Sequence, residues 1–313
     1  MSGLLVLDRD GTEAALEPHR LLEALAVALI AVARQEASAP PRIAAFAPAG
    51  LLGAMPGYVP GLGLAAKLIS VFADPERPGR SAHQGVVALF DAEDGRPLAV
   101  MDAEPLTALR TAAVATLGAR VLAGSGPVAV VGTGTQARAQ VGLLAALDPA
   151  TPVLVAGRDA ARVRATAALH PAGRAADSVQ AAVRGAAAVF CCTGATSPVV
   201  RREWFAPGTH VSSVGGSHGP ELDPETIRDA DLFAEWPGAA DEPPPAGAHE
   251  LQGLPPGRTV TLLGSVLAGD HPGRRDPAGL TVFKSTGHAA LDVAAAHVVH
   301  AVATERGTRT LPG

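Results

Sequence analysis

Apolar positions change their spacing along this chain, and the change divides it into two kinds of structure. In "LEPHRLLEALAVALIAVARQEA" they recur at helical spacing, with Pro18 near the start, which predicts an amphipathic helix. The apolar runs that follow, "RIAAF", "LGLAAKLISVF", "GVVALFDA" and "PLAVMDA", are short and separated by turn signals such as "EDGRP". No helical pattern lies between them, so they predict an antiparallel sheet. "EPLTALRTAAVATLGARVLAG" then reads as one long helix.

From Gly124 the pattern alternates. "PVAVVG", "TPVLVAGR", "AAVFCCTG" and "HVSSVGG" read as buried strands, with "TQARAQVGLLAAL" and "DAARVRATAAL" as helices among them. Strand–helix–strand alternation predicts an α/β domain with a doubly wound parallel sheet. "WPGAADEPPPAGAHELQGLPPG" is a proline-heavy, loop-rich excursion, and a last helix is expected over about 286–304.

Composition narrows the partners. Of 313 residues 48% are hydrophobic, enough for a large core, and the net charge of -5 offers no basic surface for nucleic acid or anionic lipid. A small-molecule partner is therefore expected. No apolar run approaches the ~18 residues of a membrane span, and "MSGLLVLDRDG" lacks the basic start of a signal peptide. The two cysteines, Cys191 and Cys192, are adjacent and suggest neither a disulfide framework nor a metal site. They read as small buried hydrophobes, and a cytoplasmic location is expected.

"VAVVGTGTQA" places Gly132, Gly134 and Ala137 in G-x-G-x-x-A spacing between a predicted strand and a predicted helix. That context supports dinucleotide binding: a tight turn at Gly132, close backbone approach at Gly134 and close packing at Ala137. Thr135 and Gln136 lie at the helix start, where free N–H groups favour a phosphate. The second strand ends at Ala156-Gly157 and is followed by Arg158, with no carboxylate at the tip for a ribose hydroxyl. This favours NADP(H), with NAD(H) possible, while Asp159 reads as a helix cap.

The segment "SAHQGVVALFDAEDGRPLAVMDAEPLTALRTAAVATLGARVLAG", with "GTGTQA", resembles the ornithine cyclodeaminase/mu-crystallin family. "MPGYVPGLGLAAKLISVF", "TGATSPVV", "PGTHVSSVGG" and "LTVFKSTGHAALDVAAAH" continue the resemblance in order, and "SAHQ" places it nearest the ketimine reductase branch. The resemblance implies a Rossmann domain over 118–291 and a discontinuous α+β substrate and dimerisation domain, 1–117 completed by 292–313. It also implies a homodimer acting on a small cyclic imino acid or amino acid.

Residue roles follow from the same resemblance. Arg42 and Arg110 match arginines that hold the substrate carboxylate, a task suited to the planar guanidinium fork. Read alone, Arg110 in an Ala-rich helix needs a partner, either a bound anion or an internal salt bridge. Lys67 matches a substrate lysine. Like charge and burial should disfavour its ammonium form and ease proton transfer. Gln84 is a further substrate candidate. Thr111, Thr193, Ser285 and Gly287 are cofactor candidates. Asp292 is expected to anchor the last helix, and Lys284 to point away from the site.

"GGSHGPEL" carries Ser217 where the cyclodeaminase branch has an aspartate. A hydroxyl cannot balance a substrate ammonium, so Ser217 favours imine reduction and is itself a catalytic candidate; His218 is a second possible proton donor. The expected activity is NAD(P)H-dependent reduction of pyrroline-2-carboxylate or piperideine-2-carboxylate. A cyclodeaminase, an alanine-type dehydrogenase and a non-catalytic NADPH-binding protein are the alternatives.

Overall fold

A computed structural model describes residues 3–72, 83–216 and 219–311. The chain divides into one unit of Met1–Arg110 with His288–Gly313, and a second of Thr111–Gly287.

The first unit contains β1 (Leu4–Leu7), α1 (Arg9–Ala15), α2 (Pro18–Ala33), β2 (Ile43–Ala47), β3 (Gly50–Val59), β4 (Gly63–Phe72), β5 (His83–Phe90) and β6 (Pro97–Asp102). The helix α3 (Ala103–Leu122) then carries the chain into the second unit. β2 to β6 pair antiparallel in sequence order, as the apolar runs predict. Two strands escape the pattern. β1 is only four residues long and pairs parallel with β6. In β3, "GLLGAMPGYV", glycine and proline interrupt the alternation, yet pairing with β4 over ten positions imposes the strand.

The second unit contains β7 (Val128–Val131), α4 (Thr135–Leu147), β8 (Val153–Ala156), α5 (Ala160–Ala167), β9 (Gly173–Ala175), α6 (Val179–Val183), β10 (Ala188–Cys191), β11 (His210–Ser213), α7 (Pro224–Asp229), β12 (Asp231–Ala234), α8 (Gly238–Asp241), β13 (Val260–Leu262), α9 (Leu263–Leu267) and β14 (Thr281–Lys284). Its strands form one parallel sheet in the order β13-β12-β14-β11-β10-β7-β8-β9. Every residue of β7, β10, β11 and β14 is buried, as in a sheet covered on both faces. The chain winds outward from β7 in both directions, so β7 and β10 flank the point where the strand order reverses, the usual ligand crevice of such sheets.

The chain returns to the first unit through α10 (Ala289–Glu305) and β15 (Thr310–Leu311), which completes a sheet ordered β15-β1-β6-β5-β4-β3-β2. α10 begins three residues later than its periodicity suggests, because His288 is its N-cap. Twelve of its residues are buried, and it lies on α2, β3, β4 and β5. Its alanines permit a close approach: a methyl group on Gly57 of β3 would stand 3.0 Å from Ala289.

The two faces of this sheet differ. One turns Ala65, Lys67, Val87 and Leu89 into the buried interior. The register puts Ile43, Leu52, Leu68, Phe72 and Val86 together on the other, where they are 38% to 69% exposed. Among the described residues no helix is long and apolar enough to cross a membrane.

Candidate active site

In the first unit Asp292, in the first turn of α10, is the centre of a buried ion cluster. Lys67 Nζ lies 2.8 Å from Asp292 Oδ2, and Arg110 Nε donates to Asp292 Oδ1 at 3.0 Å. Strand alternation aims Lys67 inward from β4, and α3 supplies Arg110; the three residues are 3%, 5% and 1% exposed. Two cations and one anion leave a net positive charge out of reach of water, an arrangement that an incoming anion stabilises.

Burial is the main cause that brings Lys67 down to about 8; Arg110 and Arg42 push the same way and Asp292 opposes them. Burial also works against ionisation of Asp292, but Lys67 and Arg110 outweigh it and hold the carboxyl below its ordinary range. The lysine is therefore a buried, paired group of the sheet interior. For Arg110, the internal salt bridge is what the structure shows, and Asp292 ties both cations rather than only anchoring the helix. Arg42, exposed just ahead of β2, acts electrostatically on Lys67.

Sequence reasoning missed His288. Its Nδ1 accepts from Ala290 N–H at 3.4 Å, so the ring proton sits on Nε2. Burial first, then Arg42 and Arg110, lower its pKa to about 4 against the pull of Asp292, so the ring is neutral at pH 7. The signal was the cap position itself, one turn before Asp292. Gln84 is not brought to the cluster. It is exposed, and its register partner Ser70 places it on the sheet face opposite Lys67. Ser217 and His218 lie outside the described residues.

The second unit carries the dinucleotide loop. Gly132 follows β7 at φ +123°, and a side chain there would meet the Cys192 carbonyl at 2.4 Å. Gly134 is the N-cap of α4 and makes no side-chain cap bond, with open space where its Cβ would be. By contrast Asp159, Ser178 and Asp223 cap α5, α6 and α7 with their side chains. The first N–H groups of α4, from Thr135 onward, thus remain available to an anion, and Ala137 is fully buried against the strand side. The Gln136 side-chain oxygen is buried without a hydrogen bond. These features fit a dinucleotide pyrophosphate. Arg158 is exposed beyond the tip of β8, and Asp159 is occupied by Ala161 and Arg162 N–H groups.

Other cofactor candidates are placed as follows. Thr111 is buried on α3. Ser285 follows β14, and its N–H donates to Ser213 O at 3.0 Å. Gly287 N–H donates to the buried Glu235. Thr193 gives its N–H and its hydroxyl to Glu221, at 2.7 and 2.6 Å. Glu221, Glu235 and Glu250 are buried carboxylates that the sequence did not reveal, because acids beside turn residues read as solvated. Cys191 and Cys192 are free, and burial pushes both thiols well up. Among the described residues no cluster of His, Cys, Asp or Glu could hold a metal ion.

A parallel sheet with an uncapped Gly-rich helix start defines the second unit as a dinucleotide-binding domain of the Rossmann type, and the first unit carries a buried cluster with a net positive charge. The chain belongs to the ornithine cyclodeaminase/mu-crystallin family, whose model matches residues 5–307. It is 34% identical to the ketimine reductase mu-crystallin of Mus musculus over 257 residues, 80% of each chain. Among solved structures it is similar to the Thermococcus litoralis Δ1-pyrroline-2-carboxylate reductase in complex with NADH and L-proline. The TM-score is 0.84 and the identity 25%, over 97% of this chain and 98% of that one. It is also similar to an archaeal alanine dehydrogenase dimer with bound NAD, with TM-score 0.83 and 27% identity over 97% of both chains.

Proposed function

We propose that this protein is an NADPH-preferring reductase of cyclic ketimine carboxylates, converting pyrroline-2-carboxylate or piperideine-2-carboxylate to proline or pipecolate. The observation that carries this reading is the net positive charge of the buried Lys67–Asp292–Arg110 cluster. Among the described residues only Nε of Arg110 is engaged, so its Nη groups are free to take a substrate carboxylate as a fork. Arg42 adds a second cation at the exposed side. Lys67, softened by burial, gives a proton to the imine nitrogen and leaves as a neutral amine paired to Asp292. Neutral His288 adds no competing charge beside the two cations. A reduced nicotinamide, when bound, supplies the hydride for the imine carbon. The relatives include reductases that match this chemistry, though a family of this name also holds cyclodeaminases.

In a coupled absorbance assay, purified protein with NADPH and either cyclic imine should consume the cofactor. Ornithine and lysine should yield no proline or pipecolate. The same assay reads cofactor choice. Arg158→Ala should lower kcat/KM with NADPH about tenfold and leave NADH nearly unchanged, as expected for one charge-assisted contact to the 2′-phosphate. Equal loss with both cofactors would remove Arg158 from that role.

The reading includes a homodimer closed over the apolar sheet face. Ile43, Leu52, Leu68, Phe72 and Val86 form a patch that a lone chain leaves in water. Sedimentation should give twice the 31.4 kDa chain mass, and Leu68→Glu should shift it toward the monomer. A wild-type monomer sinks this part. The free buried thiols suit a reducing cytoplasm.

A further inference from the structure

The two glycines after β11 rest on a buried charge network that neither the cofactor loop nor the cation cluster uses. Glu221 is fully buried, and each of its carboxylate oxygens accepts two hydrogen bonds. Oε1 takes Thr193 N–H and Thr193 hydroxyl, at 2.7 and 2.6 Å. Oε2 takes Ser213 hydroxyl and Gly215 N–H, at 2.7 and 2.9 Å. Among the described residues four donors converge on its two oxygens. One carboxylate thus joins the end of β10 to the end of β11.

Beneath it, Lys284 at the end of β14 donates to Ser213 Oγ, Gly215 O and Glu250 Oε1, at 2.8, 3.0 and 3.1 Å. Glu250 Oε1 also accepts Glu221 N–H at 2.7 Å. Lysine and both carboxylates lie out of water, so each bond is strengthened by a low local dielectric. The glycines are shaped to this network. A Cβ on Gly215 would stand 2.1 Å from Thr193 O and 2.5 Å from Glu221 Oε1. Gly216, at φ +89°, would put one 2.7 Å from the Lys284 ammonium.

The network reaches the cofactor crevice through adjacent backbone. Gly132 of the dinucleotide loop packs on the Cys192 carbonyl, and Thr193 is the next residue. We infer that Glu221 is a positioning residue: held by Lys284 and Glu250, it locks the ends of β10 and β11 into a rigid floor for the nicotinamide half of the cofactor. The inference rests on the proposed use of a nicotinamide cofactor, but it is read without any imine.

The test compares the better bound of NADPH and NADH with the corresponding ADP-ribose, which lacks the nicotinamide, by calorimetric titration of the whole protein. Glu221→Gln is nearly isosteric, yet its amide nitrogen must face either the Thr193 or the Gly215 N–H. It should weaken the full cofactor about tenfold or more, the equivalent of one charge-assisted hydrogen bond, and leave ADP-ribose binding unchanged. General damage to the fold lowers both probes alike. Glu250→Gln keeps the oxygen that Lys284 and Glu221 N–H share, so it should fold and show the same discrimination more weakly. If Glu221→Gln fails to fold, this second variant decides. Parallel loss of both probes, or no loss of either, overturns the inference. Cofactor binding without imine turnover in the wild type counts against the proposed reaction and not against Glu221. A wild type that binds neither dinucleotide sinks both.

Discussion

Lys67→Ala is expected to lower kcat/KM for cyclic imine reduction by roughly 10²- to 10⁴-fold, the usual contribution of a placed general acid, while NADPH affinity stays unchanged. The substitution leaves Asp292 paired with Arg110, so the buried cluster becomes neutral and the fold survives. Loss of activity would then report chemistry rather than unfolding. The wild-type pH profile carries the same claim. Lys67 must be an ammonium to give a proton, and its folded-state value is about 8. Reduction should therefore hold steady below that pH and fall tenfold per unit above it. The reverse oxidation, which needs the free amine, should rise through the same range. Steady-state kinetics of wild type and variant check both, and a Lys67→Ala enzyme with full activity would remove the lysine from the mechanism.

The second large effect concerns stability. Asp292→Ala leaves Lys67 and Arg110 facing each other, buried and unpaired. Breaking a buried pair from one side costs about 3–5 kcal/mol, so chemical denaturation should show a loss of that order. Asp292→Asn keeps hydrogen-bond capacity without the charge and should lose less. Adding Lys67→Met to Asp292→Ala removes one uncompensated cation and should recover part of the loss. Asp292 supports the ammonium form of Lys67, so in Asp292→Asn the fall in the reduction profile should also move to lower pH. If Asp292→Ala is as stable as wild type, the cluster is not held as described.

What the sequence disclosed followed physical signal strength. In the Rossmann unit β7, α4, β8, α5, β10 and β11 were legible, because buried strands and α4 have patterns that neighbours do not overrule, whereas the short elements β9, β12, β13 and β14 were not. The predicted helix "TQARAQVGLLAAL" is α4 itself. β1 and β3 were not legible, one too short and the other broken by Gly53, Pro56 and Gly57, since their pairing is imposed by partners. In the site, Lys67 and Arg110 stood out as charges in apolar surroundings. Their common partner Asp292 lies 182 positions from Arg110, a distance no local pattern spans. For Gln84, likewise, only the register with Ser70 shows that it occupies the sheet face opposite Lys67. Glu221 follows "GGSHGP" directly, but nothing in that turn-rich stretch marks it as buried, because burial is a property of the fold.

Hydride is expected to pass from the reduced cofactor to C2 of a cyclic ketimine carboxylate. Incubation of the protein with piperideine-2-carboxylate or pyrroline-2-carboxylate and NADPH deuterated at C4, followed by mass spectrometry of the product, tests this most directly. The expected result is pipecolate or proline with one deuterium at C2 for each cofactor oxidised. Unchanged imine and cofactor, together with pipecolate or proline formed from lysine or ornithine without net cofactor use, would contradict it.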